Sequence, residues 1–323
     1  DEKIKKSGHK NCYFPMFIPE SLLKKEAEHI QGFNPEVAWV TKAGDTELNE
    51  KLAIRPTSET IMYESFSKWI RSWRDLPLLL NQWNSVVRWE FKHAKPFLRT
   101  REFLWQEGHT AHATKEDAER EVMQQLFEYV DLIENFMAIP VFAGKKTDKE
   151  KFAGAEYTTT VESVMPDGKA LQMATSHLLG QNFAKVFDIK FLDKDEKEKY
   201  VWTTSWAFTT RTIGAVAMVH GDDKGLILPP KIAPMQIIIV PIVFKENKDS
   251  IIAKSKEIVR KLKNKDYNVE IDDRDGYTPG WKFNEWELKG VPLRIEIGPK
   301  DIEAEQLVLV RRDTNEKMTI KVK

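Results

Sequence analysis

The sequence has little cysteine, no long apolar run and no excess of charge. A single cysteine, Cys12, stands in 323 residues, which excludes an internal disulfide and any zinc site built from several cysteines of this chain. No apolar run approaches the roughly 20 residues that span a bilayer, and no apolar segment follows the charged start as in a signal peptide. These absences predict a soluble protein of a reducing compartment, by default the cytoplasm, without a membrane partner.

Charge and composition narrow the class further. Lys and Arg together number 50, and so do Asp and Glu, so the formal net charge is zero. A nucleic acid would therefore have to be held by a local basic surface rather than by bulk attraction. Hydrophobic residues make up 41% and aromatic residues 11%, which excludes disorder, and the length predicts about two domains.

The standard nucleotide-binding signatures are also missing. No Gly-x-Gly-x-x-Gly occurs, and the Gly144–Thr147 segment lacks the earlier glycine of a P-loop because Ile139 stands in its place. The close histidine pair, His109 and His112, has no third ligand nearby in the sequence, so we predict no metal site.

The patterning changes near the proline-rich segment 229–234. Before it, Thr114 begins a helix whose apolar stripe runs to Met137, and a second helix is predicted to start at Thr57 or Ser58. Segments 78–80, 85–91 and 101–105 read as strands separated by polar loops. We therefore predict an α+β domain with an antiparallel sheet over residues 1–230.

After the boundary, the pattern predicts a smaller α/β domain with a mixed sheet over residues 231–323. Its predicted elements, in order, are strand 236–240, helix 251–262, strand 268–271, helix 281–288, and strands 293–297, 306–310 and 318–322.

The most informative stretch is 86–109, where charged and aromatic side chains alternate. On a strand, Arg88 and Glu90 would project together while Val87 and Phe91 are buried behind them. On the returning strand one face would carry Phe103, Trp105, Glu107 and His109. An arginine for phosphate, a glutamate for an exocyclic amine and a phenylalanine for a base would hold a nucleotide. A charged hairpin with a surface ion pair between Arg88 and Glu90 stays open as the alternative.

These residues resemble motif 2 of class II aminoacyl-tRNA synthetases, specifically of prolyl-tRNA synthetases of the archaeal and eukaryotic type. The resemblance covers essentially the whole chain, because further segments follow in that family's order: 55–60, 151–154, 174–177, 205–214, 298–301 and 310–313. It implies a class II catalytic domain over 1–230 and an anticodon-binding domain over 231–323. Since Asn11–Pro15 resembles the end of motif 1, we expect the start of that motif and a C-terminal zinc-binding-like domain to lie outside this chain.

The resemblance implies an enzyme that activates L-proline with ATP and Mg²⁺ and then transfers the prolyl group to tRNA(Pro), as a homodimer at full length. The ATP-binding residues would be Arg88, Glu90, Arg99, Phe103, Gln172, Thr175 and Arg211. The catalytic residues among them would be Arg88 and Arg211. The proline-binding residues would be Thr57, Glu59, Arg88, Trp105, Glu107, His109, Phe152, His177 and Ser205. Without the motif order, the aromatic residues would be assigned to the core and His177 to a satisfied core histidine.

Beyond residue 235, basic residues cluster on and around the predicted helix, a pattern suited to phosphate contacts. They are Lys245, Lys248, Lys254, Lys256, Arg260, Lys261, Lys263 and Lys265. Residues that would meet unstacked bases are Arg274, Trp281, Phe283 and Trp286. A solvated helix face and core tryptophans are the alternative interpretation.

Two other functions stay open. A threonyl-type synthetase binds its substrate through zinc held by cysteine and histidine, and the single Cys12 argues against it. A silent paralogue that only binds tRNA would have no need for Arg88, Arg99 and Arg211 together.

Overall fold

The structure, a computed structural model, describes residues 1–29, 36–90, 93–244 and 246–322. Contacts divide the chain into two compact units. The first unit comprises Asp1–Ile133 and Pro140–Ala215, and the second comprises Glu134–Ile139 and Val216–Lys323. The domain boundary at residue 230 stays a prediction.

Helices occur in both units. They are α1 (Glu2–Lys6), α2 (Glu20–His29), α3 (Glu59–Trp69), α4 (Lys115–Asp131), α5 (Asn182–Val186), α6 (Arg211–His220), α7 (Lys248–Lys263), α8 (Pro279–Leu288) and α9 (Pro299–Glu303). A 3-10 turn spans Trp73–Asp75 and a π-helical turn spans Leu132–Phe136. None of the helices within the described ranges is long and apolar enough to cross a membrane.

The strands fall into separate sheets. They are β1 (Lys10–Cys12), β2 (Phe17–Pro19), β3 (Trp39–Ala43), β4 (Thr46–Ile54), β5 (Leu78–Val87), β6 (Glu102–His112), β7 (Phe142–Lys145), β8 (Tyr157–Val164), β9 (Ala170–Gly180), β10 (Lys190–Leu192), β11 (Glu198–Tyr200), β12 (Trp202–Thr209), β13 (Ile237–Pro241), β14 (Val269–Ile271), β15 (Leu293–Ile297), β16 (Gln306–Arg311) and β17 (Lys317–Lys321).

In the first unit a seven-stranded sheet has the order β1-β5-β6-β12-β9-β8-β7. Neighbouring strands in it pair antiparallel, apart from the parallel edge pair β1 and β5. The predicted α+β architecture with an antiparallel sheet is confirmed.

The predicted strands at 78–80 and 85–91 were wrong as separate elements, because one strand, β5, runs without interruption from Leu78 to Val87. The intervening polar residues resemble a loop in sequence, yet Asn81, Gln82 and Asn84 are buried and hydrogen-bonded within the protein. Strand β5 ends at Val87, so the prediction that Arg88 and the residue two positions later share a strand face is also wrong. The predicted burial of Phe91 lies outside the described residues.

The two predicted helices of this unit are confirmed. Helix α4 is capped by Thr114, whose hydroxyl accepts a hydrogen bond from the Asp117 amide at 3.2 Å. Its regular part ends at Asp131 and a π-helical turn follows, earlier than the apolar stripe suggested. Helix α3 starts at Glu59, but the Ser58 hydroxyl does not cap it and donates to Glu107 instead.

The core of the first unit fixes the start of α3 beside the sheet. Met62, Tyr63 and Phe66 on α3 are fully buried and belong to one apolar cluster with Phe183 of α5. Burial of each such large side chain contributes about 1.5–3 kcal/mol. This packing holds the segment 57–59 rigidly, and its polar side chains enter the site described below.

The second unit contains a five-stranded sheet of order β14-β13-β15-β16-β17. Strand β13 pairs parallel with β14 and β15, whereas β15, β16 and β17 pair antiparallel. The predicted mixed sheet is therefore confirmed, with element limits that agree within three residues. The short helix α9 was not predicted. Lys245, one of the basic residues singled out above, lies outside the described residues.

Candidate active site

One cavity of about 230 Å³ opens over the large sheet of the first unit. It brings together almost all of the predicted site residues. Those that line it are Thr57, Glu59, Arg88, Arg99, Phe103, Trp105, Glu107, His109, Phe152, Gln172, Thr175, His177, Ser205 and Arg211. Glu90 does not line the cavity and is exposed, so its proposed contact with a base stays a prediction.

Strand register explains why residues so distant in sequence meet here. Ser205 on β12 stands opposite His109 on β6 and opposite His177 on β9. Two residues further along β12, Ala207 is flanked by Glu107 and Thr175. Because alternate residues of a strand project to the same face, these two rows form the floor of the cavity.

One part of the cavity, the cationic end, is defined by Arg88, Arg99 and Arg211. The Arg88 Nε donates to the Pro56 carbonyl at 2.9 Å, and its guanidinium lies 5.4 Å and 5.3 Å from the ring centres of Phe103 and Trp105. None of the ion pairs formed by the described residues includes Arg88, so the alternative of a surface pair with Glu90 is not observed. Burial lowers the pKa of Arg88, although nearby carboxylates oppose the effect.

Arg211 starts helix α6 and is fixed by backbone carbonyls. Its Nε donates to the Leu98 carbonyl at 3.1 Å, and Nη1 donates to the Gln172 carbonyl at 3.3 Å. Burial lowers its pKa, and the positive charges of Arg88 and Arg99 add to the effect. Positive charges lie close together here, and neither Arg88 nor Arg211 belongs to an ion pair formed by the described residues. Such a cluster forms an electrostatic site for an anion.

Glu107 and His109 line another part of the cavity. They belong to a hydrogen-bonded group, the carboxylate network, which also includes Ser58, Gln82 and Asn84. One oxygen of Glu107, Oε1, accepts from the Ser58 hydroxyl, from Asn84 Nδ2 at 2.7 Å and from Gln82 Nε2 at 3.1 Å. The other, Oε2, lies 2.9 Å from His109 Nε2. Both carboxylate oxygens are therefore satisfied by the protein itself.

The surroundings of Glu107 and His109 favour the charged form of both side chains. Burial raises the pKa of Glu107, but hydrogen bonds from His109, Ser58 and Asn84 outweigh it and lower the value overall. For His109, burial lowers the pKa, and the carboxylates of Glu59 and Glu107 raise it overall. Asn84 also accepts from Trp105 Nε1 at 2.5 Å, so one amide fixes both a cavity aromatic and the carboxylate.

The start of α3 supplies a buried acid. Glu59, only 2% exposed, accepts a hydrogen bond from the Thr57 hydroxyl. A carboxylate in the first turn of a helix is stabilised by the helix dipole. It offers negative charge to a cationic ligand group, in contrast to the arginines.

An aromatic wall encloses the cavity near β9. The rings of Phe152 and His177 are 5.0 Å apart, and His177 Nδ1 lies 2.8 Å from the Thr158 hydroxyl. Burial lowers the pKa of His177 to about 3, and the positive charges of Lys146, His109 and Arg88 contribute. His177 is therefore neutral at pH 7 and presents an uncharged face.

Several residues that line the cavity or hold its side chains in place were missed by sequence reasoning. Asn84 and Thr158 position other side chains, and Lys146 and Glu150 line the cavity directly. Alternation along β5 places Asn84 on the same face as the residues at 82 and 86, which was the available signal. Lys146 carried no such signal, because it lies beyond the end of a short exposed strand.

The two histidines singled out earlier have separate partners. His112 Nε2 lies 2.7 Å from the Thr110 hydroxyl, while His109 joins Glu107. Within the described parts of the chain, no group of three or more His, Cys, Asp or Glu residues is arranged to hold a metal ion.

In the second unit, Trp281 is the exposed aromatic among the predicted base contacts. It is 45% exposed and stacks on Tyr277 with ring centres 4.2 Å apart, while the Arg274 guanidinium lies 5.4 Å from the Trp281 ring. Phe283 and Trp286 instead pack partly buried against the core, as the alternative interpretation holds. On α7, Lys254 and Lys261 both pair with Glu257, so part of the basic helix is neutralised.

Comparison with known families now identifies the class. Residues 39–220 match the description "tRNA synthetase class II core domain (G, H, P, S and T)", and residues 236–323 match an anticodon binding domain. Because the first match covers more than half of the 323 residues, the chain belongs to the class II tRNA synthetases. The predicted order of a class II core followed by an anticodon-binding domain is confirmed.

Individual relatives are more specific. A proline–tRNA ligase of Natranaerobius thermophilus is 62% identical over 321 residues, covering 99% of this chain and 66% of the relative. A proline–tRNA ligase of Alkaliphilus oremlandii is 59% identical over 317 residues, covering 98% and 65%. The bifunctional glutamate/proline–tRNA ligase of Mus musculus is 55% identical over 328 residues, covering 99% and 22%.

These matches confirm the predicted resemblance to prolyl-tRNA synthetases. The chain spans 66% and 65% of the length of the first two relatives, just under two thirds.

Proposed function

We propose that the protein is a proline–tRNA ligase. It activates L-proline with ATP to prolyl-adenylate and pyrophosphate, and then transfers the prolyl group to the 3′ end of tRNA(Pro). The observation that carries the proposal is the composition of one cavity, which combines a cluster of arginines with a buried acid and an aromatic wall. The names of the close relatives support the same reaction.

In the first step a proline carboxylate oxygen attacks the α-phosphorus of ATP, and the bond from this phosphorus to the pyrophosphate oxygen breaks. The carboxylate is already ionised at pH 7, so no strong general base is needed. Arg88 is the residue we assign to both oxyanions, since its planar guanidinium can donate to two of them at once. Its orientation is fixed in advance by Pro56 and the two rings, which limits reorganisation during the reaction.

The remaining phosphates are assigned to Arg99 and Arg211, with Phe103 stacked on the adenine. Gln172 and Thr175 would contact phosphate and ribose, and Glu90 the adenine amino group. Mg²⁺ would share the negative charge of these phosphates with the arginines.

Proline is a compact ring with a secondary ammonium group and a carboxylate. We assign the ammonium to Glu59 and Thr57, and the ring to Trp105, Phe152 and neutral His177. A neutral imidazole suits an apolar ring, because an imidazolium would repel the ammonium. Glu107 and His109 position this pocket rather than bind the ligand, since the oxygens of Glu107 are satisfied within the network. Ser205 contributes to the floor.

In the second step a hydroxyl of the terminal ribose of tRNA attacks the prolyl carbonyl carbon and AMP leaves. A phosphate oxygen of the adenylate can take the hydroxyl proton. The second unit would bind the anticodon, with Trp281, Tyr277 and Arg274 as a platform for an unstacked base.

We further propose that the protein acts in the cytoplasm and forms a homodimer at full length. The single cysteine supports a reducing compartment. Exposed aromatic residues near the N-terminus, Tyr13 and Phe17, support an interface there. Sedimentation of the protein at its full natural length tests the dimer.

The decisive experiment is amino-acid-dependent exchange between ATP and labelled pyrophosphate. Proline is compared with threonine, serine and alanine, and Arg88→Ala serves as the inactive control. Proline-dependent exchange well above this control is expected. Exchange with threonine alone would show that the protein is a threonyl enzyme. Exchange with none of the four amino acids would refute the proposal that it is a proline–tRNA ligase.

A further inference from the structure

Lys146 is a half-buried lysine of the cavity wall, and the proposed function gives it no role. It follows β7, and its backbone amide donates to the Thr158 carbonyl at 2.9 Å, which extends the pairing of β7 with β8 by one residue. Its side chain is half-buried and lines the cavity, whereas the preceding Lys145 is exposed and lies 5.0 Å from the Tyr157 ring. Adjacent lysines on an extended chain project to opposite sides, so only one of them enters the site.

The ammonium group of Lys146 is not neutralised by an acid. It donates a hydrogen bond to Gln172 Oε1, and none of the ion pairs formed by the described residues includes it. Nearby lysines differ in this respect, since Lys151 pairs with Asp148 and Lys115 with Glu156. A half-buried ammonium that has only a neutral amide as its partner loses hydration without a compensating charge.

Gln172 links this lysine to the cationic end. Its side-chain oxygen accepts from Lys146, and its backbone carbonyl accepts from Arg211 Nη1 at 3.3 Å. The two cations are thus separated by a single residue of β9. Lys146 therefore extends the cluster of Arg88, Arg99 and Arg211 along the cavity wall.

We propose that Lys146 is a fourth cation of the nucleotide site and binds a phosphate group of ATP. The inference rests on the proposed function, because it places ATP at the cationic end. A lysine ammonium is a compact charge with three donors, so it can keep its bond to Gln172 while it donates to phosphate oxygens. The phosphates of ATP carry several negative charges, which the three arginines would share with this lysine.

The neighbouring His177 supports this placement. Burial is the main cause of the lowered pKa of His177, and the positive charge of Lys146 is the next largest. The positive charge of Lys146 therefore acts on groups inside the cavity. Removal of this lysine should raise the His177 pKa, a change that NMR titration of the imidazole detects.

The test compares Lys146→Gln, Lys146→Arg and the control Lys145→Gln in the protein at its full natural length. Charge-assisted hydrogen bonds contribute about 1.5–3 kcal/mol, which corresponds to about 10-fold to 100-fold in affinity. We expect Lys146→Gln to raise the Kd for ATP, measured without proline, and the KM for ATP in pyrophosphate exchange by this factor. The KM for proline should change less than about threefold, and Lys146→Arg should restore most of the ATP affinity.

Each outcome decides between structural and ligand-binding roles. Equal increases in both KM values, or an unchanged Kd for ATP, would overturn the assignment of Lys146 to phosphate. Lys145→Gln should leave both constants unchanged, and a thermal unfolding midpoint for each variant shows whether the fold is kept. If Lys146→Gln does not fold, Lys146→Arg decides: because arginine keeps the positive charge, a Kd for ATP near that of wild type supports the proposal, and a rise of about 10-fold or more counts against it.

The proposed function can fail separately. If the wild-type protein binds ATP, and Lys146→Gln weakens this binding, but proline supports no exchange, the lysine is a phosphate ligand of an enzyme with another substrate. If proline supports exchange and Lys146→Gln leaves the ATP constants unchanged, only the role of the lysine is wrong.

Discussion

The cationic end and the carboxylate network lie in one cavity but are stabilised in opposite ways. Arg88 and Arg211 donate to backbone carbonyls, and neither belongs to an ion pair formed by the described residues. Glu107, by contrast, is surrounded by donors on both oxygens and pairs with His109. The positive charges of the cationic end are therefore available to a ligand, whereas the negative charge of Glu107 is already neutralised by its protein partners.

This difference distinguishes residues that bind a ligand, at the cationic end, from residues that position other side chains, in the carboxylate network. An uncompensated buried charge reduces stability and is useful only when a ligand neutralises it. A buried carboxylate whose two oxygens are both hydrogen-bonded, as in Glu107, is costly to disturb and keeps its neighbours in one arrangement. Substitutions at the cationic end should therefore affect activity more than stability, and those in the network should affect both.

The largest effect is expected for Arg88→Ala. Loss of a donor that stabilises developing charge should lower the rate of proline-dependent pyrophosphate exchange about 1000-fold. The free energy of unfolding should stay within about 0.5 kcal/mol of wild type or rise, since a desolvated charge is removed. The control is Arg101→Ala, whose guanidinium is exposed over the Trp89 ring. A large loss of stability in Arg88→Ala would erase the distinction between the two ends.

Glu107→Gln should have the next largest effect, and on stability. The substitution leaves His109 without its ion pair and turns an amide toward the donors of Ser58 and Asn84, so we expect a loss of about 3 kcal/mol in the free energy of unfolding. Chemical denaturation at pH 7 measures it. Glu102→Gln, at an exposed position of the same strand, should change the value by less than about 0.5 kcal/mol. Equal effects of the two substitutions would show that the network is not stabilising.

Asn84→Ala tests whether one amide joins the network to the cavity wall. Trp105 loses its acceptor and Glu107 one donor, so we expect a loss of about 2 kcal/mol in the free energy of unfolding. The KM for proline should rise while the KM for ATP stays constant, because Trp105 is assigned to the proline ring. Asn182→Ala, which removes an exposed hydrogen bond to the Gly154 carbonyl, is the control. A rise in the KM for ATP alone would contradict this role.

The smallest effect concerns pH. The folded protein holds His177 neutral, with its pKa lowered from 6.5 to about 3, whereas the unfolded chain binds a proton near pH 6.5. Because the unfolded state binds more protons between these values, the stability contributed above pH 6.5 is lost as the pH falls. One pH unit below 6.5, the loss amounts to about 1.4 kcal/mol.

Denaturation curves of wild type and His177→Gln between pH 7.5 and 5 check this expectation. Because the variant has no imidazole at this position, the free energy of unfolding of wild type relative to the variant should fall as the pH is lowered through 6.5. If the free energies of unfolding of the two proteins depend on pH in the same way, His177 has its ordinary pKa. The wall of the cavity is then more hydrated than its burial indicates. The raised pKa of His109 acts in the opposite sense, since its contribution is lost as the pH rises above 6.5.

Local patterns were sufficient for much of the site. The alternation Phe103, Trp105, Glu107, His109 placed these four on one face, because side chains two apart on a strand share a side. The capping residue Thr114 was likewise readable from its neighbours. The polar run in β5 was misread, since sequence does not distinguish a buried, hydrogen-bonded amide from a solvated one.

The amino-acid sequence by itself was enough to predict the two-part organisation, the strand faces and which arginines would lie in the site. These features depend on periodicity and on motifs of neighbouring residues. Only the tertiary structure decided which groups are satisfied and which are left for a ligand. The pairing of Asn84 with Glu107, and of Lys146 with Gln172, joins side chains from distant segments of the chain. Such pairings follow from sheet order and register, which a local pattern does not contain.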